Sequence, residues 1–407
     1  MVKFAHLADV HLGSWRYPEM RDLNLRAFKQ AIDTCIQEQV QFVIIAGDLF
    51  DIAMPSVDIL KETVAELRRL KENNINCYII AGSHDYSVTG KTFIDVLEKG
   101  GFCKNIANVD EESQFLRLIQ ENNILLAGIP GRKTSLELEH FKKLRLESLE
   151  NYQNLLKIFV FHTTLTESKP AEMMQSLDIN NLPSGFDYYA AGHLHIVDVR
   201  KKDNKPVVYP GPIFPNNSEE LEELRQGSFF IVDYNKQTKQ CNLEKKDIRF
   251  NDVLLVDLDV NNLPIEETNK KVLDELENKD IKDKILILKI RGCLASGKTH
   301  QIDQEKIREK TKDAYFLLKN FSKLTTKELE IDVEIKNRTI ESIENEFIET
   351  YKVQVNEEFK ALSGFIHSLI NNLEFEKDEG EKKDDFNQRV FETVSKIIPI
   401  ENEIKEN

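Results

Sequence analysis

The first half of the chain is dominated by five short apolar runs, each closed by Asp or His. Residues 3–8 lead into Asp9-Val10-His11, 42–46 into Gly47-Asp48, 77–81 into Gly82-Ser83-His84-Asp85, 158–161 into His162, and 188–191 into Gly192-His193-Leu194-His195. Runs of this length, rich in Val, Ile, Phe and Tyr and ending in Gly, Asp or His, are expected to be buried strands. In open α/β sheets, chemistry gathers at the carboxyl ends of the strands. A lone Asp or His there is usually a cap or a satisfied turn residue. Five in succession point instead to a metal site, with oxygen and imidazole ligands converging on two divalent ions. Gly192-His193-Leu194-His195 is the sharpest of the five: its glycine permits a tight turn, and two imidazoles at i and i+2 can serve different ions from one segment.

These motifs resemble those of the calcineurin-like phosphoesterases, and within them the archaeal type of the SbcD/Mre-eleven nucleases of double-strand-break repair. The narrower resemblance rests on Leu7-Ala8-Asp9-Val10-His11-Leu12-Gly13, on Gly47-Asp48-Leu49-Phe50-Asp51, and on Tyr209-Pro210-Gly211 after the double-histidine motif. It implies an α/β fold: a two-sheet core flanked by helices, an α/β capping domain and a C-terminal helical hairpin. It further implies that Asp9, His11, Asp48 and His195 hold one metal, and that Asp48 bridges to a second held by His162 and His193. His84 would face the scissile phosphate as proton donor or transition-state stabiliser, with Asp85 orienting its imidazole.

Two departures stand out. Ser83 occupies the position where the family usually places an Asn ligand to the second metal. A hydroxyl is shorter and a poorer ligand than an amide carbonyl, so a weaker second site is expected. Asp51 stands where relatives often carry His; it could add charge to the site or cap the next helix. Carboxylates and imidazoles without thiolate suit Mn²⁺ ahead of Mg²⁺, Fe²⁺ or Zn²⁺. Two such ions can clamp a phosphodiester and activate a water for hydrolysis, with no covalent nucleophile needed.

The remaining composition bounds the setting. The chain has 407 residues, enough for a large core plus smaller modules. Its five cysteines (35, 77, 103, 241 and 293) are scattered without a Cys-x-x-Cys pair, as expected of free thiols in a reducing cytoplasm. The first strand begins within three residues of Met1, and no apolar stretch approaches the roughly 20 residues that span a bilayer. A soluble, nucleoid-associated cytoplasmic protein is expected. The net charge of −15 sits uneasily with DNA binding, which draws on Lys and Arg. Basic clusters occur at 68–71, 132–133, 142–145 and 200–205, each of which taken singly reads as a solvated face. Weak, salt-sensitive DNA affinity is therefore expected of the isolated chain.

Three parts are expected along the chain: a nuclease domain over 1–250, a capping domain over 251–336, and a helical region over 337–407 with an acidic linker near 374–385. In the first, helices are expected at 23–37, 56–71, 91–98 and 136–155. Residues 206–209, 228–233 and 241–248 are expected to be strands of a second sheet. In the capping domain, strands at 253–258, 284–290 and 328–335 are expected to interleave with helices near 266–276 and 304–319. Gly292 to Thr299 fits the expression for a phosphate-binding P-loop, but the helical pattern starts later, with Asp303 as N-cap, so the segment reads as a turn. From 343 to 370 an apolar i, i+3/i+4 stripe runs along a helix. A second amphipathic helix carries Phe386, Val390, Phe391, Val394 and Ile397, and reads as a docking element for another protein.

By resemblance the partner is an SMC-like ATPase of the SbcC/Rad-fifty type, and two chains would pair as a homodimer within a heterotetramer. The reading is a nuclease using two Mn²⁺ per chain, with 3′→5′ exonuclease and single-strand endonuclease activity on DNA ends, single strands and hairpins. A DNA-end-binding scaffold with a site weakened by Ser83 is one alternative; a small-molecule phosphodiesterase on the same fold is another.

Overall fold

Two six-stranded sheets lie face to face, and their apolar strands explain why. In the computed structural model, which describes residues 1–87, 89–110, 115–131, 141, 144–168, 176–327, 386 and 388–390, the first sheet has the order Gln240–Ile248, Gly227–Asn235, Val2–Leu7, Phe42–Ala46, Asn76–Ile80, Lys104–Asn105. The last four run parallel, and Gly227–Asn235 pairs antiparallel with Val2–Leu7. The second sheet runs Val197–Lys202, Lys205–Pro210, Tyr188–Gly192, Leu156–His162, Ile124–Ile129, Ile119–Glu121, with its four central strands parallel.

Alternation along each strand divides its side chains between two cores. Phe4, Phe42, Ile44, Tyr78 and Ile80 meet Ile158, Val160, Tyr188 and Ala190 between the sheets. Ala5, Leu7, Val43, Ile45 and Ile79 face the helices on the outside. Strands buried on both faces must be apolar throughout. Phe4 stacks on Phe42 at 4.9 Å and meets Tyr188 edge-on at 5.1 Å, so aromatic contacts tie one sheet to the other. Each such fully buried Phe or Ile contributes roughly 1.5–3 kcal/mol. His6 belongs to this core and not to the site: the Tyr188 hydroxyl bonds its Nδ1 at 2.9 Å, and burial holds the ring neutral, with its pKa down at about 3.

The helix Pro18–Gln37 starts with proline at its first turn and buries Met20, Leu23, Ala27, Phe28, Ala31, Ile32 and Cys35 at helical spacing. One polar residue shares that face. Asn24 is fully buried, and its Nδ2 donates to the Val10 carbonyl at 2.9 Å, between two candidate ligands. The helix Val57–Glu72 is capped by Ser56, whose Oγ accepts from Ile59 N–H, so Asp51 is not its cap.

A third, all-parallel sheet contains Val253–Asp259, Ile285–Leu294, Phe316–Asn320 and Leu324–Thr326, with the helices Ile265–Glu277 and Gln304–Lys310 between its strands. Val256, Leu258, Leu286, Leu288 and Ile290 form its own core. Ile285, Ile287 and Leu318 join the core beneath Pro18–Gln37, and Tyr17 packs on Phe316 at 5.0 Å. Met1–Lys327 is accordingly one compact unit. Asp303 does cap Gln304–Lys310, while Gly292 lies inside a strand at the start of the P-loop-like segment.

Several expectations are corrected. Residues 228–233 and 241–248 lie in the first sheet, because the chain returns antiparallel to the free edge of Val2–Leu7; of the three late strands only 206–209 joins the second sheet. Of the helix expected over 136–155, Phe141 is helical, whereas 144–155 hold the short strand Arg145–Leu146 and a 3₁₀ turn at Leu149–Tyr152, which Ser148 caps. The helix expected to 319 stops at Lys310, because the apolar Phe316-Leu317-Leu318 run pairs with 285–287 as a strand. Ile124–Ile129, Val197–Lys202 and Leu324–Thr326 are strands that the pattern reading did not identify. The strand expected at 328–335 and the stripe at 343–370 lie outside the described residues.

Within the second unit, Glu328–Asn407, Phe386 and residues 388–390 are helical, and the Arg389 guanidinium lies over the Phe386 ring at 5.5 Å. Phe391, Val394 and Ile397 lie outside the described residues.

Asn24→Ala should lower the unfolding free energy by about 1–3 kcal/mol, because it strands the Val10 carbonyl in the interior. Urea unfolding measures the loss through a lower midpoint at unchanged slope.

Candidate metal centre

The carboxyl ends of both sheets open on the same side, where the loops are joined by main-chain hydrogen bonds. Asp9 N–H donates to Gly47 O at 3.2 Å, His11 N–H to Asp48 O at 2.9 Å, and Gly131 N–H to Ala81 O at 2.9 Å. The two sheets are joined at this rim where His162 Nδ1 lies 2.8 Å from the Ala46 carbonyl. Side chains at Gly47 or Gly192 would overlap the His162 ring or the Ala46 carbonyl, so only glycine allows this approach. Asp9, His11, Asp48 and His193 all adopt left-handed backbone, with φ of 50°, 46°, 51° and 90°. Such conformations cost about 1–3 kcal/mol each and persist where surrounding structure enforces them.

This backbone gathers the expected residues. The donor atoms of Asp9, His11 and His195 lie within 4.8 Å of one another, as do those of His11, Asp48 and His84, and of Asp9, Asp48 and His162. One oxygen of each aspartate is held by main chain: Asp9 Oδ1 accepts from His193 N–H at 2.9 Å, and Asp48 Oδ1 from His84 N–H at 2.8 Å. The other oxygens face inward. Asp48 Oδ2 is 3.1 Å from His162 Nε2 and 3.6 Å from His11 Nε2, while the buried Asp9 Oδ2 has no hydrogen-bond partner. His11 and His195 point their Nε2 atoms at each other, 3.2 Å apart. His193 joins none of the three groups, although its ring centroid is 5.1 Å from that of His162. Ser83 is half-buried in the turn between Gly82 and His84.

The outer nitrogens decide which atom each imidazole offers. A carbonyl only accepts, so Nδ1 of His162 donates to Ala46, and Nδ1 of the exposed His84 donates to the Asp51 carbonyl at 2.7 Å. His195 Nδ1 is held by Glu220 Oε1 at 2.9 Å, and Asp51 Oδ1 lies 3.4 Å from His11 Nδ1. Hydrogen bonds on the outer nitrogen are what orient a histidine that binds metal; His162 and His195 have one, whereas His11 Nδ1 makes none. Glu220 was missed from sequence, since it lies in the acidic helix Ser218–Leu224, which reads as a solvated face. Asp85 is also placed differently from its expected pairing with the His84 ring. Its carboxylate instead accepts from the main-chain N–H groups of Leu49 (3.2 Å), Phe50 (3.0 Å) and Gly82 (2.9 Å), which binds two loops together.

The electrostatics suit a cation. Burial raises Asp9, against the pull of His195 and His162. Burial and the neighbouring Asp48 push Asp85 up to about 6, against its three main-chain bonds. Burial opposes charge on His162, but Asp48 and Asp9 outweigh it and lift the ring to about 10. His193 falls to about 4 through burial and the charge of His162. Burial also acts to raise Glu220, yet its bond to His195 prevails and holds the carboxyl below the usual range. Oxygen and imidazole donors, an unpartnered buried carboxylate oxygen and inward-facing Nε2 atoms fit a dinuclear divalent site.

Some described members of the basic clusters are engaged elsewhere. Arg69 pairs with Asp33 and Glu66, Arg200 with Asp198, and Lys205 with Asp187. Lys202 is buried. Residues 132–133 and 142–143 lie outside the described residues. All five cysteines are free.

Residues 2–197 match the calcineurin-like phosphoesterase family. The chain is 28% identical over 317 residues to the DNA double-strand break repair protein Mre11 of Archaeoglobus fulgidus, covering 72% of this chain and 68% of that one. It is 27% identical over 393 residues to the protein of the same name from Methanococcus maripaludis, covering 93% and 96%. For that of Sulfurisphaera tokodaii the identity is 27% over 414 residues, covering 99% and 98%. This match lies over the candidate ligands at the strand ends, from Asp9 to His195, and with their geometry supports a metal-dependent phosphodiesterase of the calcineurin-like type.

Proposed function

We propose that this chain is a Mn²⁺-dependent DNA nuclease that processes double-strand-break ends by 3′→5′ exonuclease and single-strand endonuclease cleavage. The observation that carries this reading is the convergence of Asp9, His11, Asp48, His162 and His195 beside an exposed His84. Similarity to archaeal Mre11 proteins along nearly the whole chain supports DNA as the substrate.

In this reading Asp9, His11, Asp48 and His195 hold one ion, and Asp48, Ser83, His162 and His193 hold the other. When bound, the pair supplies Lewis-acid activation of the phosphodiester and of the attacking water. The protein's own residues orient and exclude. His84, anchored through Nδ1 on Asp51 O, presents Nε2 to the phosphate as proton donor or transition-state stabiliser. Asp85 keeps the Gly82 turn and the Leu49-Phe50 segment in register, and so fixes where His84 stands.

Residues 1–250 would be the nuclease domain, 251–336 a capping domain that shapes DNA access, and 337–407 the helical partner-binding region. With so many cations already paired to acids, the isolated chain would bind DNA weakly and lose it steeply with salt. An SMC-like ATPase, docked through Phe386, Val390, Phe391, Val394 and Ile397, would supply much of the grip, with two chains pairing in a heterotetramer. No helix among the described residues is long and apolar enough to cross a membrane. The nucleoid is the proposed place of work.

The test is cleavage of a labelled duplex and a single-stranded hairpin, titrating Mn²⁺ against Mg²⁺. Cleavage should require Mn²⁺ and vanish in Asp48→Ala. His84→Ala should retain Mn²⁺ binding by calorimetry while cleavage falls by about 10²-fold or more. Cleavage that survives both substitutions would sink the assignment. Ser83→Asn should lower the Mn²⁺ concentration needed for half-maximal cleavage. An inert wild type that still binds DNA, with cleavage appearing only in Ser83→Asn, would favour the end-binding scaffold.

A further inference from the structure

One short helix connects the metal pocket to the third sheet. Asn217 caps Ser218–Leu224, its Oδ1 accepting from the N–H groups of Glu219 (3.0 Å) and Glu220 (2.9 Å). The Glu220 carboxylate is held at three points: Oε2 accepts from Asn216 N–H at 2.9 Å, and Oε1 from Asn217 Nδ2 at 2.6 Å and His195 Nδ1 at 2.9 Å. At the other end of the helix, Arg225 takes a left-handed conformation (φ 63°) and donates from Nη1 to Val253 O at 2.9 Å. Glu222 ion-pairs with Lys289. Val253 and Lys289 belong to the two adjacent strands Val253–Asp259 and Ile285–Leu294. Leu221, fully buried, seats the helix on the core between these attachments.

We propose that Glu220 is the positioning residue of His195, and that the Ser218–Leu224 helix is a strut transmitting the position of the third sheet to the His195 end of the metal pocket. Other ligands are held by the catalytic sheets and their loops. His162 is tied to Ala46 O, Asp48 to His84 N–H, and Asp9 to His193 N–H. His195 alone among them has its outer nitrogen on a side chain from a helix that also grips the third sheet. A shift of that sheet, carried through Arg225 and Glu222, therefore moves the His195 ring ahead of its neighbours. It would weaken one ion's shell and leave the other intact.

This inference rests on the two-metal reading, so its test has a metal-free arm. In full-length protein with ¹⁵N-labelled histidine, the metal-free wild type should show His195 as the Nδ1–H form in a strong hydrogen bond. Glu220→Ala should abolish that signature, and Glu220→Gln, which keeps an acceptor oxygen, should retain it in part. Lys289→Gln, which removes no donor of the pocket, should shift it. In the second arm, Mn²⁺ calorimetry should show one of two sites weakened about 10–100-fold in Glu220→Ala, with the other unchanged. A smaller loss at the same site is expected in Lys289→Gln. A His195 signature indifferent to Glu220→Ala overturns the positioning role, and one indifferent to Lys289→Gln overturns the strut, whatever the metals do. If the signatures behave as expected but the wild type takes up no Mn²⁺, the positioning and the strut stand and the two-metal reading falls.

Discussion

The site depends on the approach of two sheets at their carboxyl ends, fixed where His162 of one donates to the Ala46 carbonyl of the other. The candidate ligands come from loops far apart in sequence, so their geometry is only as good as the registry between the sheets. Aromatic packing of Phe4 against Phe42 and Tyr188 sets that registry from the interior, and glycines at 47 and 192 let it close at the rim. Left-handed backbone at Asp9, His11, Asp48 and His193 is the local cost of turning side chains inward at that closure.

The pocket also balances its own charge. Two buried aspartates within reach of one another would repel, and the protein offsets this by setting His162 Nε2 3.1 Å from Asp48 Oδ2 and by giving each carboxylate a main-chain N–H. The Asp9 oxygen left without a partner is where this balance remains incomplete in the protein alone.

Much of this was legible in the sequence, for identifiable reasons. Strands buried on both faces leave unbroken apolar runs, and the polar residues that end them are conspicuous against that background. Sheet membership was not legible for Gly227–Asn235 and Gln240–Ile248, because local pattern says nothing about which free edge a returning strand will find. Phe316–Asn320 was lost to helical periodicity for the same reason: its partner lies 31 residues earlier in the register Ile285↔Phe316. Among site residues, the ligand candidates announced themselves while their outer partners did not. Glu220 is one glutamate among several in Ser218–Leu224, and only the fold brings it to His195. Sequence adjacency suggested Asp85 as the partner of His84, yet the ring turned to the main chain of a different loop.

That last detail bears on how the protein can vary. A histidine oriented by another side chain loses its support to a single substitution. One oriented by a peptide carbonyl, as His84 is by Asp51, has a partner that every amino acid at that position would supply. The arrangement is thus tolerant of genetic drift and intolerant of displacement: the identity of residue 51 can change with little effect on the ring, whereas a small excursion of the loop that carries it would break the bond that orients the imidazole.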